Sequence, residues 1–119
     1  MEAASSVEVL YAGELEIRPD DGLVLAGGRV VTVSVREFQL LCALVRGAGR
    51  IVSRPDLYRL VWGTELREGD RSIDVYIHKL RVKLEAALPA WSFIHTHVGF
   101  GYRFSAESSH PFHNSNTEG

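Results

Sequence analysis

The chain has 119 residues, of which 45% are hydrophobic, a length and composition that suit one domain with a single core. No apolar run is long enough to span a membrane, and the N-terminus lacks the order of a secretory signal, so we expect a cytoplasmic protein without membrane contact. The net charge of −2 excludes a surface coated in basic groups, yet between positions 71 and 84 four basic side chains stand against one acidic one.

The N-terminal third contains short runs of residues typical of strands, separated by turn residues. The runs cover positions 7–11, 14–18, 23–26 and 29–33, and Gly27-Gly28 is a two-residue hairpin signal rather than a phosphate loop, because no helix start follows it. We expect an antiparallel sheet here. Residues 1–6 and 105–119 are polar, so both are expected to be disordered around a domain at 7–104.

Two helix starts follow the sheet. Ser34 and Glu37 have the spacing of a capping box, and the helix that they open ends at the glycines 47 and 49. Ser53 opens a shorter helix that Gly63 closes. The single cysteine, Cys42, lies at helical spacing within the first apolar face, which predicts a buried core thiol rather than a nucleophile.

A third helix over residues 71–87 is the most informative element. Its apolar stripe consists of Ile73, Ile77, Leu80, Leu84 and Leu88. The opposite face carries Arg71, Val75, His78, Lys79 and Val82, with Tyr76 and Arg81 on its flanks. A basic face with exposed valines favours nucleic-acid contact, although a plain solvated face has the same pattern.

A β-hairpin is expected at the C-terminal end, with strands at 91–96 and 101–104. His95 and His97 lie on one strand face, but no third ligand is near them in sequence, so a metal site is the weaker interpretation. The glycines at 99 and 101 lead into a strand rather than a helix, which argues against a dinucleotide loop. No cofactor is predicted. No motif brings together a nucleophile, a base and an orienting group, so we do not expect an enzyme.

The order of sheet, three helices and hairpin, with "SVREFQLLCALVRGAGRIVSRPDLYRLVWG", "DRSIDVYIHKLRVKL" and "GFGYRF", resembles the OmpR/PhoB family of winged-helix transcriptional regulators. The resemblance covers roughly residues 9–104. It implies an α+β winged helix-turn-helix fold with an N-terminal antiparallel β-sheet, three helices and a C-terminal β-hairpin wing. It also implies sequence-specific binding of double-stranded DNA, with the recognition helix 71–87 in the major groove and the wing 93–104 at the minor groove.

The resemblance further implies a set of contact residues. Base edges would be faced by Ser72, Val75 and Lys79, and phosphates would be held by Trp62, Arg71, Tyr76, His78, Arg81, Thr96 and Tyr102. In the wing, Val98 stands where an arginine is common in the family, and His97 precedes it as a weak substitute, which puts a strong minor-groove anchor in doubt.

Other expectations concern partners. The loop 63–70 corresponds to a segment that contacts RNA polymerase in the family, although a plain connector fits equally, and two copies are expected to form a homodimer on DNA. Family members usually carry a receiver domain ahead of this one, and we expect the sequence to be an excised effector domain. The alternative is a winged-helix protein-interaction module with weak or no DNA binding, which the net charge and the missing wing arginine favour.

Overall fold

The structure, a computed structural model, describes residues 8–108. Its N-terminal part is a four-stranded antiparallel sheet of β1 (Leu10–Ala12), β2 (Leu15–Arg18), β3 (Leu23–Ala26) and β4 (Arg29–Val30), in that order. The expected sheet is confirmed, with shorter first and last strands. Alternating side chains of β2 and β3 face the core, where Leu15 pairs with Ala26 and Ile17 with Val24.

Three helices follow: α1 (Val35–Arg46), α2 (Arg54–Trp62) and α3 (Ser72–Ala87). The capping box that opens α1 is confirmed, because the Glu37 amide donates to the Ser34 hydroxyl over 3.2 Å and the Ser34 amide donates to Glu37 Oε1 over 2.8 Å. Ser53 caps α2 through its hydroxyl, which accepts from the Asp56 amide over 3.2 Å without the reciprocal bond of a capping box. The bounds of these helices are thus decided by local hydrogen bonds.

The apolar stripe of α3 packs into the core as its spacing predicts. Its buried residues are Ile73, Ile77, Leu80 and Leu84, and Leu88 follows them directly after the helix. Cys42 is buried on α1, and burial raises the pKa of its thiol, which stabilises the inert protonated form. The core interpretation of this cysteine is confirmed.

A second sheet holds the C-terminal hairpin. It has the strand order β5 (Ile51–Val52), β7 (Gly101–Ser108), β6 (Trp91–His97), all antiparallel. Gly101 starts β7 with φ +144°, and a Cβ there would lie 2.1 Å from the Val52 carbonyl oxygen, so only glycine allows the two backbones to come this close. The short strand β5 has no counterpart among the expected elements.

One expected boundary is wrong. Residues 105–108 were assigned to a disordered tail, but they continue β7 and pair with the start of β6, Trp91 opposite Ser108 and Ser92 opposite Glu107. Cross-strand hydrogen bonds order this polar segment even though it buries little apolar surface. The remainder of the tail, 109–119, and the N-terminal segment 1–6 lie outside the described residues.

Candidate nucleic-acid interface

The solvent-facing side of α3 carries the residues expected there. We call this surface the α3 outer face; it comprises Arg71, Val75, His78, Lys79 and Val82, all of them exposed. Arg71 directly precedes the helix, and its side chain is 80% exposed. Two positive side chains, a histidine and two valines therefore share one accessible surface along the helix.

The beginning of α3 is fixed by the residue two positions before it. Asp70 Oδ1 accepts hydrogen bonds from the Ser72 amide over 2.8 Å and from the Ser72 hydroxyl over 2.6 Å. These bonds hold the pKa of the Asp70 carboxyl below its usual range, so the acceptor stays charged. Ser72 is therefore oriented by its own chain, and its hydroxyl oxygen keeps only acceptor capacity.

A polar network joins α2, α3 and the hairpin. Asp74 Oδ1 accepts from Arg54 Nε over 2.8 Å and from the Tyr102 hydroxyl over 2.5 Å, and Arg54 Nη2 also donates to that hydroxyl over 3.3 Å. Burial raises the pKa of Asp74, but the hydrogen bonds from Tyr102 and Arg54 outweigh it, and the net shift is downward. The charged carboxylate thus fixes the angle between α3 and the hairpin.

This network changes the role expected for Tyr102. The resemblance implied that its hydroxyl holds a phosphate, but the residue is only 4% exposed and its hydroxyl donates to Asp74. Because a phenol has one proton to donate, none is left for a phosphate oxygen. In this structure Tyr102 positions Asp74 and Arg54.

A second connection runs from α3 to the hairpin through Arg81. Its Nε and Nη2 donate to the Ile94 carbonyl oxygen over 3.1 and 3.0 Å, and Nη2 also donates to Thr96 Oγ1 over 2.6 Å. The guanidinium also lies 5.6 Å from the centroid of the Tyr102 ring. Arg81 and the exposed Thr96 therefore reach the same region as one hydrogen-bonded unit instead of two free contacts.

Trp62 lies at the end of α2 in an aromatic group beside α3. Its ring stacks on Tyr58 at 4.6 Å, lies 5.8 Å from Tyr76, and carries the Arg36 guanidinium 4.9 Å above it. The Lys79 ammonium lies over the Tyr76 ring, 5.5 Å from its centroid. The arrangement brings Trp62 and Tyr76 to the edge of the α3 outer face.

The hairpin ends in the wing tip, residues 97–101. The Phe100 amide donates to the His97 carbonyl oxygen over 2.8 Å, and Gly99 has φ +82°, a combination typical of a type II turn. Val98 and Phe100 project from this turn, 86% and 71% exposed. The tip is therefore apolar and accessible.

The two histidines of β6 have partners within the hairpin. His95 Nε2 lies 2.9 Å from the Ser105 carbonyl oxygen, and His97 Nε2 accepts from Arg103 Nε over 3.1 Å. Among residues 8–108 there is no group of three His, Cys, Asp or Glu side chains that could hold a metal ion. In the same range, no helix has the length and apolar character needed to cross a membrane.

Sequence reasoning missed part of this arrangement. Arg54 is 20 residues from Asp74 and 48 from Tyr102, and nothing in the local pattern connects them. Asp74 lies in the first turn of α3, where a negative charge is favourable, but that position alone does not indicate its partners. The available signal was the chemistry alone: a half-buried carboxylate on a helix requires a partner.

The fold has three helices packed against an N-terminal sheet, an exposed basic face on the third helix, and a hairpin hydrogen-bonded to that helix. These features define a winged-helix DNA-binding domain. The family model described as "Transcriptional regulatory protein, C terminal" matches residues 28–104. The chain belongs to this family, the OmpR/PhoB-type effector domains of response regulators.

Relatives and solved structures agree with that membership. The chain is 37% identical over 100 residues to the alkaline phosphatase synthesis transcriptional regulatory protein SphR of Synechococcus elongatus, covering 84% of this chain and 39% of SphR. The DNA-binding domain of Klebsiella pneumoniae RstA, solved in complex with the RstA box, matches with a TM-score of 0.75 at 34% identity, covering 82% of this chain and 97% of that one. The DNA-binding domain of CpxR from E. coli matches with a TM-score of 0.76 at 31% identity, covering 84% and 99%.

These matches bear on two expectations. The chain spans about two fifths of the length of SphR, so the similarity concerns one part of that regulator. The family consists of DNA-binding transcription regulators, which is not an enzyme class, and the protein-interaction alternative is not favoured.

Proposed function

We propose that this chain regulates transcription by laying α3 in the major groove of double-stranded DNA, with the wing at the adjacent minor groove. The observation that carries the proposal is the α3 outer face, where Arg71 and Lys79 are exposed around Val75. A major groove about 12 Å wide admits an α-helix, and the face that it meets must carry donors and apolar groups. The α3 outer face carries both.

The residues divide by chemistry into two groups. Lys79 donates to guanine acceptors, Val75 covers a thymine methyl and Ser72 accepts from a base amino group, so these three read sequence. Arg71, His78 and the Tyr76 hydroxyl hold phosphates, which fix the register of the helix without reading bases. Trp62, at the edge of the same face, donates from its indole nitrogen to a phosphate of the DNA backbone.

The wing contributes through fewer free groups. Arg81 and Thr96 act as a pair that fixes the wing against α3, and the outward edge of this pair faces the DNA backbone. Tyr102 stays beneath the interface as a positioning residue. His97 and Val98 approach the minor groove from the turn.

The proposal extends to compartment, chemistry and partners. Binding to genomic DNA requires the compartment that holds it, so the protein acts in the cytoplasm and needs no catalytic site. The loop 63–70 exposes Glu65, Arg67 and Glu68, which support a charged contact with RNA polymerase. Two copies bind neighbouring half-sites as a homodimer, with centres about one helical turn, 10–11 base pairs, apart.

Selection of duplexes from a random pool tests binding, specificity and half-site spacing in one experiment. On the selected duplex, Lys79→Ala should weaken binding by about 1–3 kcal/mol and relax the preference at one base position, since a base-edge donor is lost. Arg29→Ala, which removes an exposed positive charge from β4 in the N-terminal sheet, is the matched control and should leave the preference intact.

The outcomes separate the roles. Equal weakening on every duplex would make Lys79 a phosphate contact. Failure of the wild-type chain to enrich any duplex would contradict the proposed function itself and favour the protein-interaction alternative.

A further inference from the structure

Two of the most exposed large apolar side chains of the described residues lie within three positions of each other on the wing tip. They are Val98 and Phe100, at 86% and 71% exposure; elsewhere in residues 8–108 Val35, Tyr11 and Leu60 reach 73%, 70% and 67%. Gly99 lies between them and Gly101 follows them, so their glycine neighbours add no side chain that could cover them. The hairpin thus ends in a narrow apolar point.

The charges of the wing lie behind this point. Arg103 donates to His97 and lies 3.6 Å from Glu107, while Arg81 is bonded to the Ile94 carbonyl oxygen and Thr96. A cation at the tip would gain most from a narrow A·T groove, where the negative potential is concentrated. An apolar tip has no such gain, so it does not select narrow grooves by charge.

An apolar side chain gains binding energy instead where the DNA is easily deformed and a base step can open. Proteins that enter the minor groove insert Phe, Leu, Ile, Met or Pro between base steps, and the steps that open at least cost are the pyrimidine–purine steps TA and CA/TG. Phe100 fits this chemistry best, since a flat aromatic ring replaces part of the lost base stacking.

We infer that Phe100, flanked by Val98, is an apolar wedge that enters the minor groove at a flexible base step and so determines specificity at the wing. The inference deepens the proposed function and rests on it, because the wing must lie at the minor groove. The occupant is DNA rather than protein, since the tip continues the proposed DNA-facing surface: Arg81 of α3 is hydrogen-bonded directly to Thr96, next to the turn.

The test uses the selected duplex with three versions of the segment under the wing: a TA or CA step, an A-tract, and a G·C run. The wild-type chain should bind the flexible-step duplex most tightly. Phe100→Ala should weaken that complex by roughly tenfold and remove the preference among the three duplexes, in line with the loss of one stacking contact. Val98→Ala should have a smaller effect in the same direction.

Two further measurements keep the result specific. A 2-aminopurine base at the flexible step should brighten when the wild-type chain binds, because unstacking relieves its quenching, and should stay dim with Phe100→Ala. Tyr11→Ala removes an aromatic side chain of equal exposure from β1 of the N-terminal sheet and should behave as wild type in affinity and fluorescence. Thermal melts establish that each variant is folded.

The inference is overturned if the folded Phe100→Ala variant keeps the wild-type affinity and step preference, or if the wild-type chain prefers the A-tract. It is also overturned if Phe100→Ala alters only the joint binding of two copies to adjacent half-sites, since the tip then docks on a second copy. In each case the wild-type chain still binds the selected duplex, so these failures are distinct from failure of the proposed function.

Discussion

The α3 outer face and the wing present opposite chemistry to the same proposed ligand. On α3, Arg71 and Lys79 are exposed, whereas in the wing Arg81 and Arg103 are hydrogen-bonded within the protein and the exposed tip is apolar. The helix therefore presents hydrogen-bond donors and positive charge to DNA, whereas the wing presents an apolar tip that fits by shape. Since phosphate neutralisation gives most of the salt dependence of DNA binding, the salt dependence should come from the helix and not from the wing.

The charge that α3 presents is smaller than a count along the sequence indicates. Four basic residues lie between positions 71 and 84, but Lys83 donates over 2.6 Å to the buried Glu37. Burial raises the pKa of the Glu37 carboxyl, but its hydrogen bonds with Lys83 and Ser34 outweigh this effect, so the net shift of the pKa is downward. Arg81 is likewise engaged with the wing. Two of the four cations in this segment are thus hydrogen-bonded to other elements of the protein, so sequence charge overestimates the electrostatic footprint.

The largest effect should come from a substitution that forces the hairpin strand β7 away from β5. Gly101→Ala places a Cβ against the Val52 backbone at a φ that L residues avoid, and we expect the free energy of unfolding to fall by about 3 kcal/mol or more. Gly99→Ala is the matched control: its φ of +82° is also positive, but the space around it is open, so the loss should be roughly 1 kcal/mol. Urea unfolding measures both, and equal losses would contradict the close approach of β5 and β7.

An intermediate effect should separate Arg71, which is exposed and lies 3.6 Å from Asp74, from Arg81, which is hydrogen-bonded to the hairpin. Arg71→Ala should lower the salt slope of binding by about 0.9 and leave the melting temperature unchanged, because it removes one phosphate contact. Arg81→Ala should instead cost about 1–2 kcal/mol of stability, through the lost bonds to Ile94 and Thr96, with little change in slope.

Arg81→Lys is the control for this pair of variants. It keeps the charge but not the planar fork that reaches two acceptors, so it should lose stability nearly as Arg81→Ala does and bind with the wild-type salt slope. If Arg81→Ala lowers the slope as much as Arg71→Ala, the guanidinium leaves its internal partners on binding, and the contrast between helix and wing disappears.

The parts of the fold that sequence predicts well are those decided by neighbours in the chain. The capping box at Ser34 and the N-cap at Ser53 give helix starts because their hydrogen bonds span three residues, and the stripe of α3 follows from helical period alone. The strand β5 was missed because two residues carry no period, and it exists only through pairing with β7. Ser105–Ser108 was misassigned for the same reason, since its order comes from β6.

The residues of the candidate site also divide into those that the sequence predicts and those that it does not. The exposed positions of α3 follow from the period that also gives its core, so Val75 and Lys79 are found from sequence. The internal engagement of Tyr102 and Arg81 is not, because their partners lie 28 and 13 residues away and belong to other elements. A family resemblance gives a residue its place but not its hydrogen-bond partners in this chain.

The smallest effect should come from adding a positive charge to the wing tip. It is also the most direct test of the difference between the charged α3 outer face and the apolar wing tip. Val98 is exposed, so Val98→Arg buries no cation in the free protein, and we expect a gain in affinity of about 0.5–1 kcal/mol on A·T-rich flanks, where a narrow groove concentrates negative potential. The gain should shrink with salt and on G·C-rich flanks. Titration against paired duplexes at two salt concentrations measures it.

Val98→Gln is the control, because it adds a long side chain without charge and should give neither the gain nor its salt dependence. With Val98→Arg the preferred flank should move from a flexible step towards an A-tract, as the wing changes from reading deformability to reading potential. A folded Val98→Arg variant that binds no more tightly than Val98→Gln would mean that position 98 does not reach the minor groove, and the wing would then act through Phe100 or through the backbone alone.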